Sequence, residues 1–403
     1  MKQFRYSART QAGEVIKGKL EAKSKVDVIE ALQQKGMIVV SVNEDVTIGL
    51  QKLNEINIGG VPMKDKVVFM RQLSTMISAG LPLSQALEIL EAQATNPLFK
   101  KILSSVSDEV QGGMGLAKSF RKYEDVFDEI TINLIDAGEE SGHLEEILLK
   151  LANELENQKK LNEKIKGAFT YPAVISVVVV VVVAIMMFYL VPAMEEIYSE
   201  FDAELPFVTR LLIDISNFVR SYWWLIAMIG ATVIILLKYY IDSPNGKRRF
   251  HLFLLKFPVF GTLATKMQLT QFNRVLGLLL SSGLSIVESL RLTASALSNV
   301  HFRQAVLVTK NEVEKGVPMA TPIARSEFFP LIVSQMIAVG EESGEIDMIL
   351  TKLAQYYTDE VEVMTANLTT LLEPIILIVV GIIIGFIALA VYMPMFSLVE
   401  VIG

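Results

Sequence analysis

The sequence predicts a mainly α-helical, polytopic membrane protein with two repeated cytoplasmic helical bundles, three transmembrane helices and a small N-terminal α+β domain. Hydrophobic residues make up 52% of the 403 residues and charged residues only 20%, whereas soluble domains are about 25% charged. Three segments are long and apolar enough to cross a bilayer. A helical pattern with the same motifs also occurs twice, which indicates an internal duplication.

Residues 1–45 predict the small α+β domain. Two β-strand patterns flank a turn at Gly13, helical apolar spacing follows over 26–34, and residues 37–42 are rich in β-branched side chains. Residues 46–63 contain three glycines and no sustained apolar period. They predict a linker between this domain and the helical part of the chain.

Two further regions predict the cytoplasmic bundles, residues 64–170 and residues 267–372. In both, amphipathic segments of helical period alternate with breaks at glycine and proline. Ten of the sixteen residues at 137–152 are identical to those at 339–354. The paired bundle positions are Arg71 with Arg274 and Gly80 with Gly283. Because both copies have the same orientation, one additional span must return the chain between them, so the number of spans is odd.

The three transmembrane helices are predicted at 173–191, 222–241 and 375–393. The first and third contain no charged residue, and the second contains only Lys238 near its end, where a lysine can reach the headgroups. At about 1.5 Å per residue each helix spans about 28–30 Å. The remaining segments are predicted as an outward loop (192–221), a cytoplasmic connector (242–266) and an outward tail (394–403).

Lysine and arginine residues set the predicted orientation, because cytoplasmic flanks of membrane spans are enriched in them. Clusters of four precede the first span and follow the second: Lys159, Lys160, Lys164 and Lys166, and then Lys247, Arg248, Arg249 and Lys256. The connection between these two spans has six acidic residues against two arginines. We therefore predict a cytoplasmic N-terminus and a C-terminus on the outside.

A Gly-Glu-Glu-Ser-Gly motif is the sharpest local signal in each bundle. Its residues are Gly138, Glu139, Glu140, Ser141 and Gly142 in the first copy and Gly340, Glu341, Glu342, Ser343 and Gly344 in the second. One interpretation is a tight turn between helices, in which the last glycine has an unusual φ and the serine caps the next helix. The alternatives are an acidic contact for a partner protein, or a calcium or magnesium site made by the four glutamates.

Residues at the membrane edge and inside the third span suggest mechanical roles. Pro172, Glu373 and Pro374 lie at the cytoplasmic edges of the first and third spans, and a proline there predicts a kink or hinge because it removes a backbone donor. Gly381 and Gly385 form a G-x-x-x-G pair that allows two helices to approach closely. That approach could join two copies of the protein or two helices of one chain.

The chain has few residues suited to catalysis. There is no cysteine, and the three histidines have no metal-ligand spacing. Residues 13–19 fit a phosphate-loop pattern, but Leu20 stands where a Ser or Thr would bind magnesium. We predict no enzyme activity, catalytic residue, cofactor or nucleic-acid partner, the last because the net charge is −7. A secondary transporter with parallel repeats is the alternative, although uncharged spans disfavour it.

The paired motifs resemble the type II secretion system F family, whose members are polytopic platform proteins of type IV pilus assembly and type II secretion. The resemblance rests on a duplicated Arg-x-Leu-x-x-x-x-Ser-x-Gly-Leu pattern, the two Gly-Glu-Glu-Ser-Gly motifs and the proline before the first and third spans. It covers essentially the whole chain. Residues 335–342 and 390–396 resemble the pilus branch more than the secretion branch.

The resemblance implies a non-enzymatic scaffold in the bacterial cytoplasmic (inner) membrane. Such a platform is expected to couple a hexameric cytoplasmic assembly ATPase to the insertion or extraction of pilins or pseudopilins. Other inner-membrane assembly proteins, and self-association as a dimer or higher oligomer, are the further partners it implies.

Overall fold

The computed structural model describes residues 2–9, 15–22, 29, 38–44, 60–200 and 207–402. Three N-terminal strands form one antiparallel sheet in the order β2-β1-β3. They are β1 Lys2–Arg9, β2 Val15–Ala22 and β3 Ile38–Glu44. The helix predicted over 26–34 and the linker predicted over 46–63 fall largely outside the described residues.

From residue 63 onward the described chain is helical apart from short turns and caps. Repeat 1 comprises α1 Met63–Ser78, α2 Leu83–Gln93, α3 Pro97–Gln111, α4 Leu116–Phe120, α5 Glu129–Ser141 and α6 Leu144–Ile185. A π-helical turn, Met186–Leu190, and α7 Val191–Glu200 continue α6. Next come α8 Phe207–Asp242 and α9 Pro244–Lys256.

Repeat 2 has the same order of helices. It comprises α10 Phe260–Ser281, α11 Ile286–Ala296, α12 Val300–Val313, α13 Ala320–Arg325, α14 Leu331–Ser343 and α15 Ile346–Ile402. Both first helices end at a glycine of positive φ, +82° at Gly80 and +84° at Gly283. The residue after each glycine donates its backbone N–H to a carbonyl five residues back, Leu81 to Met76 and Leu284 to Leu279, which satisfies an otherwise orphaned carbonyl.

Among the described residues, three helical stretches are long and apolar enough to cross a membrane: Leu144–Ala193, Thr209–Asp242 and Ile346–Ala390. Their most apolar windows are 6%, 0% and 6% buried by the rest of the protein. An apolar surface of this kind is stable when lipid covers it, and a helix satisfies its own backbone hydrogen bonds there. These three candidate membrane helices overlap the three spans predicted from the sequence.

The predicted outward loop is a different kind of structure. Of residues 192–221, the structure describes all but 201–206, and the described ones are helical because α7 extends the first span and α8 begins at Phe207. Val191, Leu212 and Ile213 pack together with Ala390 near the end of the third span. Glu195, Glu196, Glu200 and Asp214 lie on these helices, and Leu212 and Ile213 of α8 are buried. The predicted tail at 394–403 is likewise the end of α15, which runs to Ile402.

Each repeat has its own hydrophobic core. In repeat 1 four phenylalanines lie at the centre, with the rings of Phe120 and Phe127 stacked 3.7 Å apart and Phe69 and Phe99 packed around them. The core of repeat 2 is built around Phe272, Phe302 and Phe329. These ring arrangements contribute beyond the area they bury.

The core of repeat 1 also takes in side chains from repeat 2. Val275, Leu279 and Leu292 are 3%, 0% and 0% exposed and belong to the same cluster as Leu73, Leu148 and their neighbours. Nearer the membrane, α6, α10 and α15 meet in another small apolar cluster that includes Leu161, Leu263 and Val361. The two repeats are therefore packed against each other through apolar side chains at two levels of α6.

Candidate functional site: the interface between the repeats

The final glycine of each Gly-Glu-Glu-Ser-Gly motif ends a helix in the left-handed conformation. Gly142, with φ +73°, follows α5, and Gly344, with φ +76°, follows α14. An L-residue with a side chain is disfavoured in this region. The next long helix starts at once, so the motif turns the chain from a short helix into the helix that enters the membrane.

The first glycine of the motif has a packing role instead. A Cβ built on Gly138 would lie 3.0 Å from Cγ1 of Ile147, and one on Gly340 would lie 3.0 Å from Cα of Ile346. Both contacts are tighter than normal van der Waals packing, and the second is with backbone. The glycine therefore lets the short helix approach the start of the following long helix.

The first glutamate of the motif caps a different helix. Glu139 accepts hydrogen bonds from the backbone N–H groups of Leu116 (2.6 Å) and Ala117 (3.1 Å) at the start of α4. In repeat 2, Glu341 accepts them from Met319 (2.5 Å) and Ala320 (3.1 Å). A carboxylate at a helix N-terminus satisfies orphaned donors and interacts favourably with the helix dipole.

The turn interpretation predicted that the serine caps the next helix. This prediction is wrong. The Ser141 hydroxyl donates to the carbonyl of Ala137 at 2.7 Å, and Ser343 donates to Gly340 at 3.4 Å, both within their own helices. The start of α6 has no side-chain cap. The first glutamate of the motif is the capping residue, and the helix that it caps lies earlier in the chain. The sequence-based interpretation did not predict this role.

The second glutamate of each motif, Glu140 or Glu342, is exposed to solvent. Within the part of the chain that the structure describes, no group of three or more His, Asp or Glu residues has an arrangement that could hold a metal ion. Both oxygens of Glu139 and Glu341 are occupied by backbone donors. The acidic residues left on the surface for a partner protein are therefore Glu140 and Glu342.

The paired arginines have diverged between the repeats. Arg71 donates to Glu156 at 2.6 Å and to Asn153 at 2.7 Å, both on α6 of its own repeat. In repeat 2 the position of Glu156 is taken by Thr358, and Arg274 donates to its hydroxyl at 2.9 Å. Arg274 also lies 3.7 Å from Glu154 of repeat 1. The second arginine has exchanged an ion pair within its repeat for one between repeats.

Further polar contacts join the repeats on either side of this pair. The Lys164 ammonium lies 2.5 Å from Glu362, and that of Lys150 donates to the carbonyl of Ser281 at 2.7 Å. We call the set Lys150, Glu154, Lys164, Arg274 and Glu362 the inter-repeat seam. It lines a cavity of about 350 Å³ between α6, α10 and α15. Farther away, Arg291 of α11 pairs with Glu129 at the start of α5, 2.8 Å away.

Burial changes the protonation of one seam residue. Glu154 is only 17% exposed at its side chain, and desolvation raises its pKa to about 7 although Arg274 opposes the shift. Two residues along the same helix, the hydrogen bond from Arg71 lowers the pKa of Glu156. The pKa values of these two glutamates are thus shifted in opposite directions, because one carboxyl is desolvated and the other is hydrogen-bonded to a cation.

At the membrane edge both prolines lie inside continuous helices, Pro172 in α6 and Pro374 in α15. Proline has no N–H, so the carbonyl of Ala168 lacks its helical donor. The hydroxyl of Thr369 on α15 lies 3.4 Å from this carbonyl, a long hydrogen bond that links the two helices. Glu373 beside the second proline is exposed.

The glycine pair of the third span faces outward from this chain. A Cβ on Gly381 or Gly385 would meet no described atom within 4 Å. Among the described residues, neither glycine is therefore needed for packing inside one chain. Their small size stays available to a neighbouring helix from outside the chain.

These features define a polytopic membrane protein whose two helical repeats are held together in register and continue directly into membrane helices. The model of the type II secretion system protein F family matches residues 69–192 and again 272–394, and the model of that family's N-terminal domain matches residues 1–43. The chain therefore belongs to the type II secretion system F family. The two matches coincide with the duplication inferred from the paired motifs.

Relatives of similar length carry names from two machines. The chain is 35% identical to type IV pilus assembly protein PilC of Myxococcus xanthus, over 98% of this chain and 95% of that protein. It is 36% identical to PilC of Thermus thermophilus, with 98% of each covered. It is 30% identical to type II secretion system protein F of Pseudomonas aeruginosa, with the full length of both covered.

Removing the glutamate cap should destabilise repeat 1. We expect Glu139→Ala to lower the free energy of unfolding by about 1–2 kcal/mol, because two backbone donors of α4 lose a charged acceptor. The matched control is Glu140→Ala, whose exposed side chain should contribute less than about 0.5 kcal/mol. Thermal melting followed by circular dichroism measures both, and equal losses would contradict the capping role.

The buried glutamate should give the protein a pH-dependent stability. A carboxyl whose pKa is raised by folding holds its proton more tightly in the folded state than in the unfolded state. Its contribution to the free energy of unfolding therefore falls as pH rises from about 4.5 to 7. We expect wild type to lose up to about 3 kcal/mol relative to Glu154→Gln between pH 5 and pH 8.

Glu156, two residues away, should give the opposite pH dependence of stability, and Glu156→Gln tests this. Its carboxylate is stabilised by Arg71, so this variant should be less stable than wild type at pH 8 and approach it at acid pH. Melting curves at both pH values compare the three proteins. A Glu154→Gln curve parallel to wild type would show that the burial of Glu154 does not govern its protonation.

Proposed function

We propose that this protein is the inner-membrane platform of a type IV pilus machine. Membership in the type II secretion system F family supports a platform role. The pilus branch is supported by identity of 33–36% to four proteins named for type IV pilus assembly and 29% to one named for type 4 fimbrial assembly, against 27–30% to three proteins named for type II secretion. The observation that carries the mechanism is that the repeats pack as one unit on helices that continue into the membrane.

The proposed topology places both repeats in the cytoplasm. The lysine and arginine clusters before the first span and after the second favour this orientation. The contact between the repeats requires them to lie on the same side of the membrane, and the cluster of Val191, Leu212 and Ala390 requires the outer ends of the spans to meet on the other side. An inside N-terminus and an outside C-terminus satisfy both requirements.

We propose that the repeats receive force from a hexameric cytoplasmic ATPase and pass it to pilins in the membrane. α6 and α15 are suited to this task because each is continuous from the repeat into its span. The exposed Glu140 and Glu342 lie at the far end of these helices from the membrane, where a cytoplasmic partner has access. The prolines at the membrane edge are the proposed points of bending.

Replacing both hinges tests this proposal. We expect Pro172→Ala combined with Pro374→Ala to keep binding of the cognate ATPase and to reduce assembled pili severalfold, because the restored backbone donors stiffen α6 and α15. Pull-down with the ATPase and quantification of surface pili are the measurements. The control is Pro192→Ala, at the outer end of the first span, which should assemble normally.

Two results would contradict the proposal. Full assembly by the doubly substituted protein would remove the hinge from the mechanism. Loss of ATPase binding in that variant would mean that the prolines act on the shape of the repeats. ATP hydrolysis by the purified protein alone would contradict the platform role itself.

Self-association is proposed to involve the third span. Gly381 and Gly385 have no described neighbour within their own chain, and small residues allow helices of two copies to approach in lipid. We expect Gly385→Leu to reduce cross-linked dimers in membranes at least threefold. Gly230→Leu in the second span is the matched control, since Gly230 also has no described neighbour within 4 Å. Unchanged cross-linking in Gly385→Leu would contradict this interface.

A further inference from the structure

The helix after the second span, α9, begins at a corner that only glycine permits. The Ser243 hydroxyl accepts a hydrogen bond from the N–H of Gly246 at 3.1 Å and caps α9. A Cβ on Gly246 would lie 1.8 Å from the carbonyl oxygen of Tyr240. The chain thus folds sharply back on the end of α8. From Asp242, the last residue of α8, to Pro244, the first of α9, it can advance no more than about 7 Å. The start of α9 is therefore held close to the end of the second span.

One face of α9 is fixed to repeat 2. The ring Nδ1 of His251 accepts from the backbone N–H of Val300 at 3.1 Å. The ring of His301 contacts the carbonyl of Arg248 at 3.0 Å. Leu255 packs against the core of repeat 2. These contacts fix the rotation of the helix about its axis and determine which side chains point away from the protein.

The opposite face is apolar and uncovered. Phe250, Phe253, Leu254, Phe257 and Phe260 are between 37% and 59% exposed. The rings of Phe253 and Phe257 lie 5.7 Å apart and those of Phe257 and Phe260 lie 6.0 Å apart. A continuous exposed patch of aromatic side chains marks a surface that is covered in the working protein.

Charge indicates what covers it. No acidic residue occurs between Asp242 and Glu288, whereas Lys247, Arg248, Arg249 and Lys256 are all on or beside this helix and exposed. Aromatic side chains beside a cluster of cations are typical of helices that lie on anionic membranes. Tyr239 and Tyr240 at the end of the span are also exposed, by 80% and 49%, as expected of an interfacial aromatic belt.

We propose that α9 and the following turn form an interfacial anchor that inserts Phe253, Phe257 and Phe260 at the boundary between headgroups and acyl chains. Lys247 and Lys256, which flank this face, bind the phosphates of anionic phospholipids, whereas Arg248 and Arg249 line a cavity toward repeat 2. The anchor rests on the proposed topology, which places residues 242–266 at the cytoplasmic leaflet. Residues 43–60, which precede repeat 1, contain no aromatic residue. The anchor holds the second repeat on the membrane surface.

The absence of cysteine makes a direct test possible, since a single introduced cysteine needs no other change. Full-length Phe253→Cys, labelled with an environment-sensitive fluorophore, is reconstituted in phosphatidylcholine vesicles containing 30% phosphatidylglycerol. We expect acyl-chain nitroxide lipids to quench this label at least threefold more than a label on Glu145→Cys. Glu145 is exposed on the first turn of α6, about 40 Å along the helix from the span. Phe257→Cys repeats the measurement at a second position.

The charge contribution is measured separately. In the Phe253→Cys background, Lys247→Gln with Lys256→Gln should reduce quenching in vesicles with phosphatidylglycerol, since each cation strengthens binding to an anionic surface about fivefold. The same pair should have little effect in pure phosphatidylcholine. An equal effect in both would overturn the role of anionic lipid.

The anchor and the topology fail in different ways. Labels at Phe253 and Phe257 that resist quenching as strongly as the label at Glu145 would overturn the anchor, and would show that a protein or solvent covers the patch. Reporter fusions at residues 204 and 245 test the topology independently, because they should report opposite sides of the membrane. Fusions on the same side would overturn the proposed topology whatever the quenching shows.

Discussion

The packing of repeat 2 side chains into the core of repeat 1 is the constraint on which the rest of the structure depends. Val275, Leu279 and Leu292 are buried there, so the two repeats cannot be separated without exposing a core. Two membrane helices between repeats in contact are what such packing requires, because an even number of crossings returns the chain to the side it left. The same packing brings α6 beside α10 and α15, which creates the Glu154–Arg274 pair and the contact of Ala168 with Thr369.

The duplication has kept its internal supports and changed its mutual contacts. Both copies retain the glutamate cap, and the pairs Glu139 with Leu116 and Glu341 with Met319 are equivalent. At the arginine position they differ, because Thr358 replaces the carboxylate that Arg71 uses. Arg274 therefore has only a hydroxyl as its partner within repeat 2. Its acidic partner is Glu154 of repeat 1. The difference at this one position adds a charged contact between the repeats to those at Lys150, Lys164 and Arg291.

Sequence patterns predicted the features that depend on local rules. Apolar length located the three membrane helices, and the paired glycines located helix ends, because both signals lie within a few residues. The glutamate cap was not predictable in this way, since Glu139 acts on a helix that starts 23 residues earlier. For residues 192–221 the sequence predicts an outward loop, whereas the described ones are helical, because an apolar run locates a span but not the amphipathic helix that extends it. The seam depends on how two copies meet, which no single segment encodes.

Glu154 lies on α6 between apolar contacts, at Leu148 and Leu151 on one side and at Leu161 on the other. This position explains why Glu154 is desolvated despite a cavity beside it. The buried Glu154–Arg274 pair contributes little net stability because desolvation offsets the attraction, and the more exposed Lys164–Glu362 pair contributes little because solvent screens it. Their effect here is on register: a slip of α6 by one turn, about 5.4 Å, would unpair Glu154 and Lys164 together while leaving apolar surfaces in contact. Apolar packing alone tolerates such a slip, whereas a scaffold that transmits displacement along its helices does not.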